Sequence, residues 1–302
     1  MNYLLIVLIQ LTYIVPSLLL YGMICLYIVW SRDPEFRSAF HRLFLARAPA
    51  DVVQVLTSVV AFRLPLSGWQ ACLSFPLLAK LGFVVSQYAT LIELCAQLIL
   101  SANRLTAIAF PIGHKKIWSR RPTFLLFGCC AVASLIPTLV RIPQPAGYLS
   151  VNGSVIPYLI NDEDQKQNSL VSCCLYVSFC AASLSFNIAA VLVHSKQRRM
   201  QLFETQQKLA AKVQTNLLIY SCIFTVVVIS MTICQCLLAL DVFPLRSQAH
   251  NLVIVLLTVS ADAFALSNPW LLFCLSGSFR KKFLEARRFP KLFPTSTTGD
   301  TS

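Results

Sequence analysis

Residues 4–30 read LLIVLIQLTYIVPSLLLYGMICLYIVW, a stretch with no charged side chain. A bilayer core ~30 Å thick needs about 20 helical residues at 1.5 Å each, so this run is long enough to cross. It lacks the alternation of apolar and polar positions that a barrel wall requires. Helices and closed barrels alone satisfy every backbone hydrogen bond in hydrocarbon, so the run is a membrane helix. Six more runs meet the same length: Ala39–Phe62, Leu78–Ile108, Pro122–Val140, Ser169–Val193, Val213–Leu240 and His250–Leu275. The seven cover about three-fifths of the 302 residues. The longest remainder, Arg141–Asn168, is too short for an independent domain. The expected fold class is an all-α membrane protein, a seven-transmembrane helix bundle. It forms one domain over residues 1–288 with a short tail at 289–302.

Composition agrees. Hydrophobic residues make up 57% of the chain and charged ones only 12%, with a mean hydropathy of +0.69. Soluble domains carry roughly 25% charged residues, and a chain this apolar cannot dress a water-facing surface. The nine glycines exclude whole function classes. The closest two, Gly147 and Gly153, are six apart, so GxGxxG, GxSxG and the GxxxxGK phosphate loop are impossible. Nothing in the sequence implies an enzyme or a cofactor.

Orientation follows from Lys and Arg. Seventeen of the 25 fall in Ser31–Ser38, Ala109–Arg121, His194–Lys212 and Ser276–Ser302, against five (Arg63, Lys80, Arg141, Lys166, Arg246) on the other face. The positive-inside rule makes the first set cytoplasmic, with the N-terminus outside and the C-terminus in the cytosol. This asymmetry also accounts for the net charge of +13 without nucleic acid. The Asn152-Gly153-Ser154 sequon, a glycosylation acceptor, then lies outside. The first run has no basic residue before it and exceeds a signal peptide's apolar core, so it reads as a retained span.

Particular residues narrow the class. Asn103-Arg104-Leu105-Thr106-Ala107-Ile108-Ala109-Phe110-Pro111 closes the third span, and Asn268-Pro269 lies near the end of the seventh. A short basic amphipathic segment, Phe279–Arg288, follows. These resemble the acid-Arg-Tyr and Asn-Pro elements and the eighth, surface helix of rhodopsin-like G-protein-coupled receptors. Ile14-Val15-Pro16-Ser17 with Tyr21, Phe36-Arg37-Ser38-Ala39-Phe40, Lys116-Ile117-Trp118 and Asn268-Pro269-Trp270 carry a closer resemblance. They are similar to nematode chemoreceptors of the serpentine receptor class gamma type, nearly end to end.

The resemblance implies a sensory-cell receptor in the plasma membrane. It would bind a small extracellular molecule and signal by conformational change to a heterotrimeric G protein. It further implies G-protein contact at Asn103 and Arg104, with Lys115, Lys116, Arg198, Arg199, Lys208 and Lys212 on the adjoining inner loops. Attraction of those loops to anionic membrane lipid explains the same charges. Departures matter too. Asn103 stands where the pattern has a carboxylate and Leu105 where it has Tyr, and spans five and six contain no proline. The loop Arg141–Asn168 has no cysteine, so the pattern's disulfide to that loop cannot form, and Cys72 could reach Cys173 or Cys174 only if those lie at the outer end of span five.

Two further sets of residues are singled out. Asp51, Glu93 and Asp262 lie 12–15 residues into their spans, roughly 18–22 Å deep. Ionisable groups at such depth are functional candidates. With Asn268 they are expected to form an intramembrane polar cluster, the rival being a structural Arg47–Asp51 pair. For the ligand, polar groups in the outer half of the bundle are Gln87, Tyr88, Gln235 and Thr258, set in an apolar wall. The twelve cysteines and four histidines have no metal-ligand spacing, so no metal is expected. The alternative function is a small-solute transporter or channel, against which stand the lack of an internal repeat and of paired Gly/Pro-broken spans.

Overall fold

The computed structural model describes residues 3–31, 33, 36, 38–151, 153–200, 205–243 and 247–288. The apolar runs form helices α1 (Tyr3–Trp30), α2 (Ala39–Thr57), α3 (Leu64–Leu66), α4 (Pro76–Ala109), α5 (Pro111–Ile117) and α6 (Arg120–Leu139). They continue with α7 (Asp162–Met200), α8 (Thr205–Ala239), α9 (Gln248–Leu275) and α10 (Gly277–Arg288). A π-helical stretch, Ser58–Arg63, joins α2 to α3, so the two make one helix, Ala39–Leu66. Among the described residues, seven helices are long and apolar enough to cross a membrane. They are α1, α2–α3, α4, α6, α7, α8 and α9, called spans one to seven below. Side chains such as Leu19, Val29, Leu125, Val132 and Ile136 stand exposed on their outer faces. Lipid covers such a surface; water would not tolerate it.

Span three is central, packing against spans two, four, five and six, while span seven packs against one, two and six. One close approach sets the geometry. At Gly82 of span three, a β-carbon would come within 2.5 Å of the Ala61 β-carbon. Only glycine lets span three lie this near the π-helical stretch of span two.

The helices extend past the apolar runs at several ends. Span five begins at Asp162 and reaches Met200, although hydrophobicity stops at residues 169 and 193. Hydropathy marks where lipid lies, and a helix continues through polar residues beyond it.

The segment 141–168 holds an element the sequence reading left as loop. Strands β1 (Ala146–Val151) and β2 (Ser154–Leu159) form an antiparallel hairpin with Val151 opposite Ser154. Gly153 takes φ +81° in its turn, a left-handed conformation that glycine adopts without strain. The hairpin packs on span three and on a 3-10 turn, Gln70–Ser74, and the Tyr148 hydroxyl donates to the Ala61 carbonyl at 3.0 Å.

At the opposite end α10 lies amphipathically against the bundle. Phe279 and Phe283 are buried with Phe36 and Leu272, both rings meeting Tyr27 edge-on. Lys282 donates to Asp33 at 2.5 Å, and Arg280 and Lys281 face outward. The two ends are called the hairpin end and the α10 end.

All twelve cysteines are free thiols. Cys72 is not bridged to Cys173 or Cys174: its thiol donates to the Trp69 carbonyl, and Cys173 instead faces Cys236, with 3.4 Å between sulfurs.

Candidate functional site

A buried polar chain crosses the lower half of the bundle. Its hub is Asp51 of span two, fully buried. The Arg47 Nε, one turn earlier, donates to Asp51 Oδ1 at 2.9 Å. The Tyr21 hydroxyl of span one and the Asn268 amide of span seven both donate to Oδ2, at 2.5 and 2.9 Å. A carboxylate in hydrocarbon needs such a full set of partners. Arg47 is held by further contacts: Nη2 donates to the Phe264 carbonyl at 3.0 Å, and the guanidinium lies 4.4 Å from the Phe264 ring centre and 5.3 Å from that of Phe224.

From Asn268 the chain turns toward the α10 end. The Tyr220 hydroxyl of span six donates to Asn268 Oδ1, and the Tyr220 ring carries the Arg104 guanidinium at 4.3 Å from its centre. Arg104 is 3% exposed, yet none of its three side-chain nitrogens has a hydrogen-bond partner among the described residues. Its resting hold is a cation–π contact, of the order of 0.5–2 kcal/mol.

Asn103, in the position the resemblance gives to an acid, faces elsewhere. Its Nδ2 meets His114 Nε2 of α5 at 3.1 Å, which holds the following loop to span three. Burial lowers the His114 pKa below the ordinary 6.5, consistent with a neutral ring accepting that amide proton. Trp118 completes the junction, donating from Nε1 to Thr106 Oγ1 at 2.7 Å while its carbonyl accepts from Arg42.

Of the expected cluster, Asp51 and Asn268 meet, and Glu93 is fully buried beside Asp51. Asp262 does not join. It lies six residues before Asn268 on the same helix, about 9 Å nearer the hairpin end. There it is ion-paired with Arg63 of span two and accepts the Tyr13 hydroxyl of span one at 2.7 Å. Arg63, which sequence position put on the surface, is 2% exposed. The π-helical stretch turns it inward, and no local sequence signal marks that stretch.

Above this pair is a cavity of about 240 Å³ at the hairpin end. Gln87, Gln235 and Thr258 line it, as does Arg63; Tyr88 does not. Residues not singled out from sequence also line it, notably Arg141, Asn168 and Ser172, with Ile156 and Leu159 of the hairpin as cover. Arg141 Nε donates to Asn168 Oδ1 at 3.2 Å and Nη2 to Ser172 at 3.0 Å. Burial pushes the Arg141 pKa down to about 10, the mark of a cation short of a counter-ion.

Of the residues expected at the G-protein face, Arg104 and Asn103 are buried at the α10 end and Lys116 is exposed there on α5. The side chains of Lys115, Arg198, Arg199, Lys208 and Lys212, and Asn152 as a whole, lie outside the described residues.

Seven membrane helices, a cavity at one end and a buried polar chain running to the other define a heptahelical receptor architecture. The chain belongs to the family described as serpentine type 7TM GPCR chemoreceptor Srv, whose pattern matches residues 10–289. It is therefore an integral, multi-pass membrane protein of the chemoreceptor type. It is 27% identical over 117 residues to serpentine receptor class gamma-8 of Caenorhabditis elegans, covering 36% of each chain. To serpentine receptor class gamma-9 of the same organism it is 27% identical over 150 residues, 44% of this chain and 41% of that one. The matched stretches thus span well under half the length of these curated relatives. The nematode serpentine resemblance read from sequence is borne out.

Proposed function

We propose that this protein is a chemosensory receptor of the sensory-cell plasma membrane. It takes a small extracellular molecule into the cavity at the hairpin end and signals to a heterotrimeric G protein at the α10 end. The hairpin end is outside in this reading, as the 17-to-5 split of basic residues requires. The action is conformational, with no catalytic step: a ligand that binds one arrangement of the bundle better shifts the population toward it.

The observation that carries the reading is the unbroken buried chain Asp51–Asn268–Tyr220–Arg104. It ties spans two, three, six and seven together between cavity and α10 end. A shift of span six or seven that moves Tyr220 removes the support under Arg104. Held against the Tyr220 ring, Arg104 is released from that contact at a cost of about 0.5–2 kcal/mol, small enough for one ligand's differential affinity to supply.

Ligand-evoked GTP exchange on a heterotrimeric G protein, in membranes containing this chain, tests the reading. Exchange that rises with a panel compound supports it. Ligand-evoked current or solute uptake in liposomes, without exchange, would mean a channel or transporter instead.

A further inference from the structure

We infer that the ligand this cavity selects is a small carboxylate with an apolar body, its carboxylate held between Arg141 and Arg63. The inference names the ligand class for the site proposed above and rests on that reading only in taking the cavity as the ligand's seat.

Charge balance is the first argument. Two guanidiniums line the cavity, and no Asp or Glu appears among its described lining residues. Asp262 neutralises Arg63 from behind but is 3% exposed and does not line the space. Arg141 has neutral partners only, Asn168 and Ser172. An enclosed site with this surplus favours an anion and repels an amine.

Unused donors are the second. Arg63 is 98% buried, and its Nε and Nη1 have no hydrogen-bond partner, because Asp262 takes Nη2. Buried donors of this kind are costly to leave unmade. A carboxylate accepts from guanidinium donors in short, charge-assisted bonds, and arginine's planar fork matches it better than lysine does. The buried side-chain oxygens of Gln54 and Gln87, also at the cavity and unpartnered, give a hydroxyl or amide elsewhere on the ligand something to donate to.

Size and polarity supply the third. About 150 Å³ holds benzene's six carbons, so 240 Å³ takes about ten non-hydrogen atoms. The apolar part of the wall includes Ile6, Phe62, Phe83, Leu91, Leu175 and Ile254. An eight-carbon acid has that size and shape.

The test uses the full receptor in phosphatidylcholine nanodiscs without G protein, so its result is independent of whether the chain couples. Octanoate, octanamide, 1-octanol and octylamine are titrated against the thermal unfolding midpoint, with empty nanodiscs correcting for partition into lipid. Octanoate is expected to raise the midpoint saturably, and the other three to bind at least tenfold more weakly. Arg141→Gln should reduce the affinity for octanoate about tenfold to a hundredfold, abolishing the preference for acid over amide, while Arg141→Lys retains part of it. The ligand-free midpoint of each variant reports whether it is folded, and a variant that fails to fold is replaced by Ser172→Ala. That change frees Arg141 Nη2 for the carboxylate without removing the charge and should widen the preference for acid over amide, an unchanged or narrowed preference overturning the inference. Equal binding of acid and amide, preference for octylamine, no saturable binding of octanoate, or an unaltered preference in folded Arg141→Gln would each overturn the inference.

Discussion

The contact between Gly82 and Ala61 permits a sharp test of how the bundle holds its cavity open. In Gly82→Ala the new methyl would lie 2.5 Å from the Ala61 β-carbon and 3.5 Å from the Phe62 ring. Carbons in contact sit about 3.5–4.0 Å apart, so spans two and three must separate locally by ~1 Å or more. Neither methyl can rotate away, since both are fixed to helical backbone. Overpacking of this kind costs about 1–3 kcal/mol, and here the upper end applies. Alanine replacing glycine in a helix returns about 1 kcal/mol. The net loss is ~2 kcal/mol, a fall of about 3 °C in the unfolding midpoint for a chain of this size. The double variant Ala61→Gly with Gly82→Ala moves the methyl to the other helix, and the two propensity changes cancel. Its midpoint should return to within about 1 °C of the parent. Phe62 and Arg63 follow Ala61 directly and line the cavity, so octanoate affinity should drop in the single variant and recover in the double. The measurement is thermal unfolding in nanodiscs with surface expression as control. A single variant as stable as the parent, or a double no better than the single, refutes the steric reasoning.

Other perturbations separate the polar chain from the ion pair. Arg104→Ala should abolish ligand-evoked GTP exchange while leaving surface delivery intact, measured by exchange assay and surface labelling; retained coupling counts against the role assigned to it. Tyr220→Phe removes the donor to Asn268 Oδ1 and should cost about 1–3 kcal/mol while leaving basal exchange near the parent's, because the Phe ring still supports Arg104. Asp262→Asn leaves Arg63 buried without its counter-charge and should destabilise by about 3–5 kcal/mol, seen as lost surface expression partly rescued by Arg63→Gln in the same chain. His114 has its folded pKa lowered by burial, so the unfolded chain takes up the proton first as pH falls. Stability from this residue is full above the ordinary value of 6.5 and is lost below it, toward the folded pKa. The unfolding midpoint should decline less between pH 7 and 5 in His114→Gln than in the parent.

The sequence made the seven spans legible because each apolar run is about long enough to cross a bilayer, and depth along the helices singled out Asp51 as a buried acid. Other parts resisted for physical reasons. Tyr21 and Tyr220 carry no charge, so nothing in hydropathy marks them as partners of a buried carboxylate. Arg63 looked like a surface residue because a straight α-helix would have carried it out; the π-helical stretch of span two turned it inward. The hairpin had a signal, the Asn152-Gly153 dipeptide between β-branched and aromatic residues, which favours a tight two-residue turn. Asp262 was assigned by depth alone, and a six-residue offset along one helix is enough to change its neighbours.

The hairpin over the cavity is a visor held by friction and not by rivets. Every sulfur in the molecule is unbridged, and the Tyr148 hydroxyl ties β1 to the same backbone segment that carries Arg63. A hydrogen bond of that sort is worth about 1 kcal/mol, and the burial of Ala146, Val155 and Leu159 adds to it. The visor is thus held without any covalent tie, and a reducing environment leaves its hold unchanged.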